Sequence, residues 1–132
     1  MIILLPRDLA AALPRLADVA MPREACGLLV GRMDEGSVCI TGFSPSRNLA
    51  AASDAFEIDS SLHLALQRRL RSQGEGVVGV WHSHPSGAAL PSARDAAGAW
   101  QDGLIWLITA GAETTAWVAR GGGFGPARLI VA

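Results

Sequence analysis

The chain has 132 residues and a formal net charge of -1, with half of its residues hydrophobic and 17% charged. That balance excludes intrinsic disorder, and near-neutrality removes the basic field that a nucleic-acid binder uses to release counterions. The length fits one domain over residues 1–132, able to bury roughly two thirds of the surface its unfolded chain exposes.

Met1 to Leu5 reads as a short buried strand. Asp8 is placed to cap a helix through Leu9, Leu13, Leu16 and Val19. Pro14 fits that helix poorly, because it removes an interior hydrogen bond, and sits better in the first turn of a shorter one. Ala25 to Gly31 is a second strand, and Gly36 to Ser44 a third, joined by a turn around Asp34-Glu35-Gly36. Residues 45–55 form a loop of polar and small residues, followed by a brief extended piece at Phe56-Glu57-Ile58. Asp59 or Ser60 then caps a helix with Leu62, Leu66 and Leu70 on one face, ending near Gly74.

Gly76 to Trp81 is almost continuously apolar, as expected of a strand buried on both faces. It runs straight into His82-Ser83-His84-Pro85. After a loop to Pro91, a helix is expected from Ser92 to about Gln101, then an apolar strand from Leu104 to Ala110. Thr114–Ala119 and Ala127–Val131 form a final hairpin around Gly121 to Gly125. Mixed strands and helices with hairpins at both ends favour an α/β or α+β fold, a single mixed sheet flanked by helices.

The chemistry concentrates at His82, His84, Ser92 and Asp95. Imidazoles at i and i+2 on extended chain point the same way, because the strand period is two. They emerge where a hydrophobic strand ends, so a rigid sheet holds them at its rim. Asp95 lies one turn into the next helix, with Ser92 at its N-cap, and the loop between can fold this turn over both rings. Two imidazoles and a carboxylate are the ligand set of a catalytic zinc site, with the fourth position left for water. Such a site needs a second carboxylate, free of the metal, to handle the proton. His-x-His alone is more often surface or core polarity, and Ser-x-x-Asp alone is a helix cap. Their combination after this strand is far more specific.

The run resembles the JAMM signature of the MPN-domain metalloproteases. His-x-His-Pro is followed by a Ser, with seven residues between the second His and that Ser, and then by x-x-Asp. Upstream, Glu24-Ala25-Cys26-Gly27-Leu28-Leu29-Val30-Gly31 is similar to the family's Glu-x-Cys-Gly-Leu-Leu-x-Gly segment, and Asn48 and Phe56-Glu57-Ile58-Asp59 to its middle segment. The likeness runs from about Leu4 to Trp117. It implies the MPN/JAMM (cytidine-deaminase-like) fold and one zinc ion (Zn2+) per chain, held by His82, His84 and Asp95. Glu24 would accept the proton of the zinc-bound water, and Ser92 would donate to the oxyanion, unless it serves mainly as the helix cap. Some compact prokaryotic members cut after the C-terminal Gly-Gly of a ubiquitin-like sulfur-carrier protein, and that protein is the expected partner. Two other readings are a non-catalytic MPN scaffold and a DNA-associated relative, the latter through His-Ser-His-Pro-Ser-Gly. The complete ligand set argues against the first, and the absent basic surplus against the second.

Other residues read more plainly. All 11 cationic side chains are Arg, so no lysine chemistry is available. Two Cys make no disulfide framework, and Cys26 and Cys39 are expected as small buried residues. Ser83 should turn from the metal toward a sheet contact or a supporting one. His63 belongs to a surface or a packing face, Arg68, Arg69 and Arg71 to a solvated helix face, and the four Trp mostly to the core. The Gly121-Gly122-Gly123 run lacks the Lys and the helix of a phosphate loop. The five apolar residues before Pro6 lack a basic leader, and no apolar run approaches the ~20 residues of a membrane span. A cytoplasmic protein touching neither membrane nor nucleic acid is the expectation.

Overall fold

The computed structural model describes residues 1–99 and 101–132. In chain order the elements are β1 (Ile2–Leu5), α1 (Arg7–Ala20), β2 (Cys26–Asp34), β3 (Ser37–Ser46) and α2 (Ser60–Leu70). After a 3-10 turn at Arg71–Gln73 come β4 (Gly76–Ser83), α3 (Ala93–Gly98), β5 (Ile105–Ala110), β6 (Glu113–Arg120) and β7 (Gly123–Val131). The strands form one mixed sheet in the order β1-β3-β2-β4-β5-β6-β7. The fold class is the expected one, and the sheet also closes on itself: β1 pairs in parallel with both β3 and β7. Among the described residues, no helix is long and apolar enough to cross a membrane.

The main core gathers Ile3, Leu5, Leu29, Val38, Trp81, Ile105 and Leu107, and α1 helps to fill it with Leu9, Leu13 and Ala17. That packing keeps α1 helical through Pro14, which stands in its interior rather than in its first turn. A stripe of core-facing side chains outweighs one missing backbone bond. Pro6, extended at φ -59° and ψ 142°, occupies the N-cap expected of Asp8. Asp8 instead lies in the first turn, where its carboxylate accepts the Leu9 N–H at 2.9 Å. Val19, expected on the apolar face, is 86% exposed. Strand β1 is buried only at alternate residues, with Ile3 and Leu5 inside and Ile2 and Leu4 toward solvent.

The second helix is capped by Asp59, whose carboxylate accepts the Ser61 N–H at 3.0 Å. It packs Leu66 and Leu70 against Leu28, Val77 and Val80. An irregularity in the β2–β4 pairing lets β4 bury both faces, because Leu29 faces Gly79 while Val30 faces Val77. The extra residue puts Val77 and Val80 toward α2, and Val78 and Trp81 toward the main core. Gly79 permits the close approach of β5, since a Cβ there would lie 2.0 Å from the carbonyl oxygen of Ile105.

Three further expectations change. Phe56–Ile58 is not a strand; its chain is held by side-chain hydrogen bonds. The final hairpin turns on Gly121 and Gly122 alone, with φ of 58° and 76°, and Gly123 and Gly125 enter β7. Two consecutive positive-φ residues match the strand twist, so no longer loop is needed. Helix α3 ends at Gly98. The expected extension to Gln101 runs through Trp100, which lies outside the described residues.

Candidate metal centre

Strand β4 ends in His82 and Ser83, paired in parallel with Ile108 and Thr109 of β5. The His84 N–H continues this pairing by donating to the Thr109 carbonyl at 2.8 Å. The chain therefore stays extended past the strand end, and the two imidazoles fall on one side. Their Nε2 atoms are 3.0 Å apart. Asp95 closes the set from the first turn of α3: Oδ1 lies 3.1 Å from His82 Nε2 and Oδ2 lies 3.1 Å from His84 Nε2. Ser92 places that turn with a reciprocal cap. Its hydroxyl accepts the Asp95 N–H at 3.0 Å, and the Asp95 carboxylate accepts the Ser92 N–H at 2.9 Å. All three ligand atoms lie within 4.8 Å of one another.

The donor set fits a cation. His84 Nδ1 meets the Ala88 carbonyl at 2.9 Å, so Nδ1 carries a hydrogen and Nε2, which faces the cluster, could offer a lone pair to a cation in place of its hydrogen bond to Asp95. His82 is fully buried, with Phe56 stacked on its ring at 4.4 Å and the edge of Trp106 at 5.6 Å. Burial holds His82 below its ordinary pKa, which keeps it neutral. Burial alone would raise the Asp95 carboxyl, but its hydrogen bonds with His82 and His84 bring it well below the usual carboxylate range. The Asp95 hydrogen bond pushes His84 upward, and a bound cation would take the place of that bond. Neutral imidazole and ionised carboxylate are the states that ligate metal.

Glu24 stands before β2, in a cleft of about 510 Å³ that it shares with His84, Pro85, Ser92 and Arg94. It is only 7% exposed, and its Oε1 is buried without a hydrogen bond. Burial pushes its carboxyl up to about 7, while the positive charge of His84 pulls the other way. The five expected residues are thus assembled in one place. Across the cleft, Arg94 pairs with Asp54 at 3.1 Å, both largely in solvent.

The remaining residues fall as follows. Cys26 is buried, and its thiol is pushed up to about 11 by that burial. It stays outside the cluster, as expected of a small packing residue, whereas Cys39 is only half-buried. Ser83 turns away from the metal side, and its hydroxyl accepts the Ala25 N–H at 2.8 Å. His63 lines an apolar cavity of about 360 Å³ with Phe56 and Trp106. Arg68, Arg69 and Arg71 are solvated. Trp81 and Trp106 are buried and Trp117 half-buried; Trp100 lies outside the described residues. The packing of Phe56 on His82 was not legible beforehand. Its signals were being the one aromatic residue in segment 47–59 and its place in the family-like run Phe56-Glu57-Ile58-Asp59, and neither names a packing partner.

A family model described as prokaryotic homologs of the JAB domain matches residues 6–120. The desampylase of Haloferax volcanii is 36% identical over 88 residues, which is 66% of this chain and 62% of that protein. The CysO-cysteine peptidase of Mycobacterium tuberculosis is 31% identical over 94 residues, 71% of this chain and 63% of that protein. Both matches thus span less than two thirds of the relatives' own length. The solution structure of a Desulfitobacterium hafniense protein superposes with a TM-score of 0.87 at 30% identity, covering 100% of this chain and 93% of that one. The family match runs from α1 to the end of β6, across Glu24 and the whole His82–His84–Asp95 cluster: the chain belongs to the prokaryotic JAB-domain family.

Proposed function

We propose that this chain is a zinc-dependent hydrolase. Its substrate is the amide or isopeptide bond after the C-terminal Gly-Gly of a ubiquitin-like sulfur-carrier protein. One observation carries the reading: two imidazole nitrogens and a carboxylate converge beside a cleft that also holds a buried carboxylate. The name of one relative, a CysO-cysteine peptidase, supports the choice of a peptide-type bond.

His82, His84 and Asp95 would hold the zinc. A zinc ion there would supply Lewis acidity, enough to make a water acidic near pH ~7. The Ala88 carbonyl fixes the His84 tautomer, and the α3 cap fixes Asp95. Glu24, buried beside the cluster, takes the proton of the attacking water and delivers it to the departing amine as the C–N bond breaks. The products are a carrier ending in a Gly carboxylate and a free amine. Ser92 uses its oxygen to cap α3 and keeps its hydroxyl hydrogen for the substrate carbonyl oxygen. A donor of that kind contributes about 10²- to 10³-fold in kcat.

The test uses purified protein, metal analysis, and mass spectrometry of carriers extended or conjugated beyond Gly-Gly. Wild type is expected to hold about one zinc per chain, and His84→Ala to lose both the zinc and cleavage. Glu24→Gln is expected to keep the zinc and lose about 10²- to 10⁴-fold in turnover. A folded wild type that binds no added zinc refutes the ligands, and normal turnover by Glu24→Gln refutes the base.

A further inference from the structure

The peptide unit joining Glu24 to Ala25 is held at both of its ends. Its carbonyl accepts a hydrogen bond from the Asn48 side-chain amide at 2.9 Å. Its N–H donates to the Ser83 hydroxyl at 2.8 Å. Ser83 is 1% exposed and stands between the two candidate ligands His82 and His84. Its own N–H donates to the Ala25 carbonyl at 3.0 Å. The regular β2–β4 register begins only at Cys26 opposite His82, so Glu24 lies just outside the ladder. Its backbone is held by two side chains where strand pairing has ended.

Asn48 uses every polar direction of its carboxamide. Its NH₂ also donates to the Ala55 carbonyl at 2.8 Å. Its oxygen accepts the N–H groups of Ala50 and Glu57 at 2.9 and 3.0 Å. The bond to Ala55 fixes the residue before Phe56, the ring stacked on His82. One side chain therefore ties the peptide of Glu24 to the loop that packs on a ligand, and Ser83 ties the same peptide to the ligand strand.

We infer that Asn48 and Ser83 are positioning residues that together set Glu24 against the His82–His84–Asp95 cluster. The inference rests on the reading of Glu24 as the base. Neither residue belongs to the His82–His84–Asp95 cluster. Their effect is on the approach of the Glu24 carboxylate to the reacting water, so loss of either should lower kcat and spare both substrate binding and zinc.

The experiment compares Ser83→Ala, Asn48→Ala, the double variant and Ser83→Thr with wild type and Glu24→Gln. It measures zinc content, kcat and KM on a Gly-Gly carrier substrate, and exchange of the Ala25 amide in metal-free protein. Each single variant is expected to keep its zinc and its KM within about threefold while kcat falls about 10- to 100-fold. The double variant should fall little further, because both side chains hold one peptide and their effects do not add. Ser83→Thr retains the hydroxyl and should recover most of the kcat. Exchange at Ala25 should quicken in Ser83→Ala and not in Ser83→Thr. Should Ser83→Ala fail to fold, Asn48→Ala releases the same peptide from its other end and carries the test. Clamp variants that turn over like wild type, or an Ala25 amide that exchanges unchanged in Ser83→Ala, overturn the inference alone. Loss of zinc in step with kcat also overturns it. A wild type that cleaves no carrier, or an active Glu24→Gln, overturns the reading of Glu24 and this inference with it.

Discussion

His82 and Ser83 belong to a strand flanked by partners, β2 on one side and β5 on the other, and they are 0% and 1% exposed. Asp54 and Phe56 belong to segment 47–59, which has no regular structure, and Arg94 and Asp95 to a six-residue helix. The first half of the site is placed by continuous ladders. The second is placed mainly by the hydrogen bonds of three side chains, Ser46, Asn48 and Ser92. The two histidines therefore come prearranged by the sheet, while the lip of the cleft and Glu24 depend on bonds that one substitution removes. A floor held by ladders and a lip held by side chains suit the proposed function, which would need a site that keeps a metal and admits a polypeptide tail.

Substitutions in each half should separate them, starting where the sheet is tightest. Gly79→Ala would set a Cβ 2.0 Å from the Ile105 carbonyl oxygen, backbone against backbone. The expected loss is at least about 4 kcal/mol by denaturant titration. A loss below about 1 kcal/mol would show that the strands under the histidines yield easily.

The next effect is a gain. The carboxyl of Glu24 rises from 4.5 to about 7, so the folded chain holds its proton more tightly than the unfolded chain does. The stability linked to that proton is complete below about 4.5 and is lost as pH rises through about 7. Metal-free Glu24→Gln should therefore be more stable than metal-free wild type by up to about 3 kcal/mol at pH 8, and by little at pH 5. Urea titrations at the two pH values check this, and a gain independent of pH would mean that the ionised carboxylate is not the source.

Removing the α3 cap is expected to matter less. Ser92→Ala should cost about 1 kcal/mol in the same titration. It should also lower kcat by about 10²-fold if its hydroxyl hydrogen serves the substrate carbonyl. A stability loss with unaltered kcat would leave Ser92 as a cap alone. The smallest change is Asp54→Ala. It breaks a pair whose side chains are 57% and 77% exposed and should shift stability by less than about 0.5 kcal/mol. A larger loss would mean that the lip is as firmly held as the floor.

Much of the site was legible because its signals are local. His82 and His84 are two residues apart on extended chain, and Ser92 and Asp95 are one helical turn apart, so spacing alone assigns their directions. The cap of α2 was legible to within one residue, Asp59 or Ser60, and the structure gives it to Asp59. Glu24 was legible only through its resemblance to a family motif, since an isolated Glu before a strand carries no signal of burial. Asn48 was visible as part of the middle segment, but its partners were not. They lie 24 residues upstream, at Glu24, and up to nine residues downstream, at Glu57.

The sequence by itself pointed to His82, His84, Ser92 and Asp95 as candidate groups, and determined the α+β class, the cap of α3 and the strands flanking the site. Each of these depends on residues within a turn or a pleat of one another. Tertiary structure alone decided that α1 runs through Pro14, because Leu9, Leu13 and Ala17 meet a core drawn from six strands. It decided that β1 closes the sheet, by pairing with chain 35 residues downstream and again near the far end. It also decided that the Glu24 peptide lies between Asn48 and Ser83. Those outcomes depend on contacts between distant segments, and no local period in a sequence encodes which distant segment will arrive.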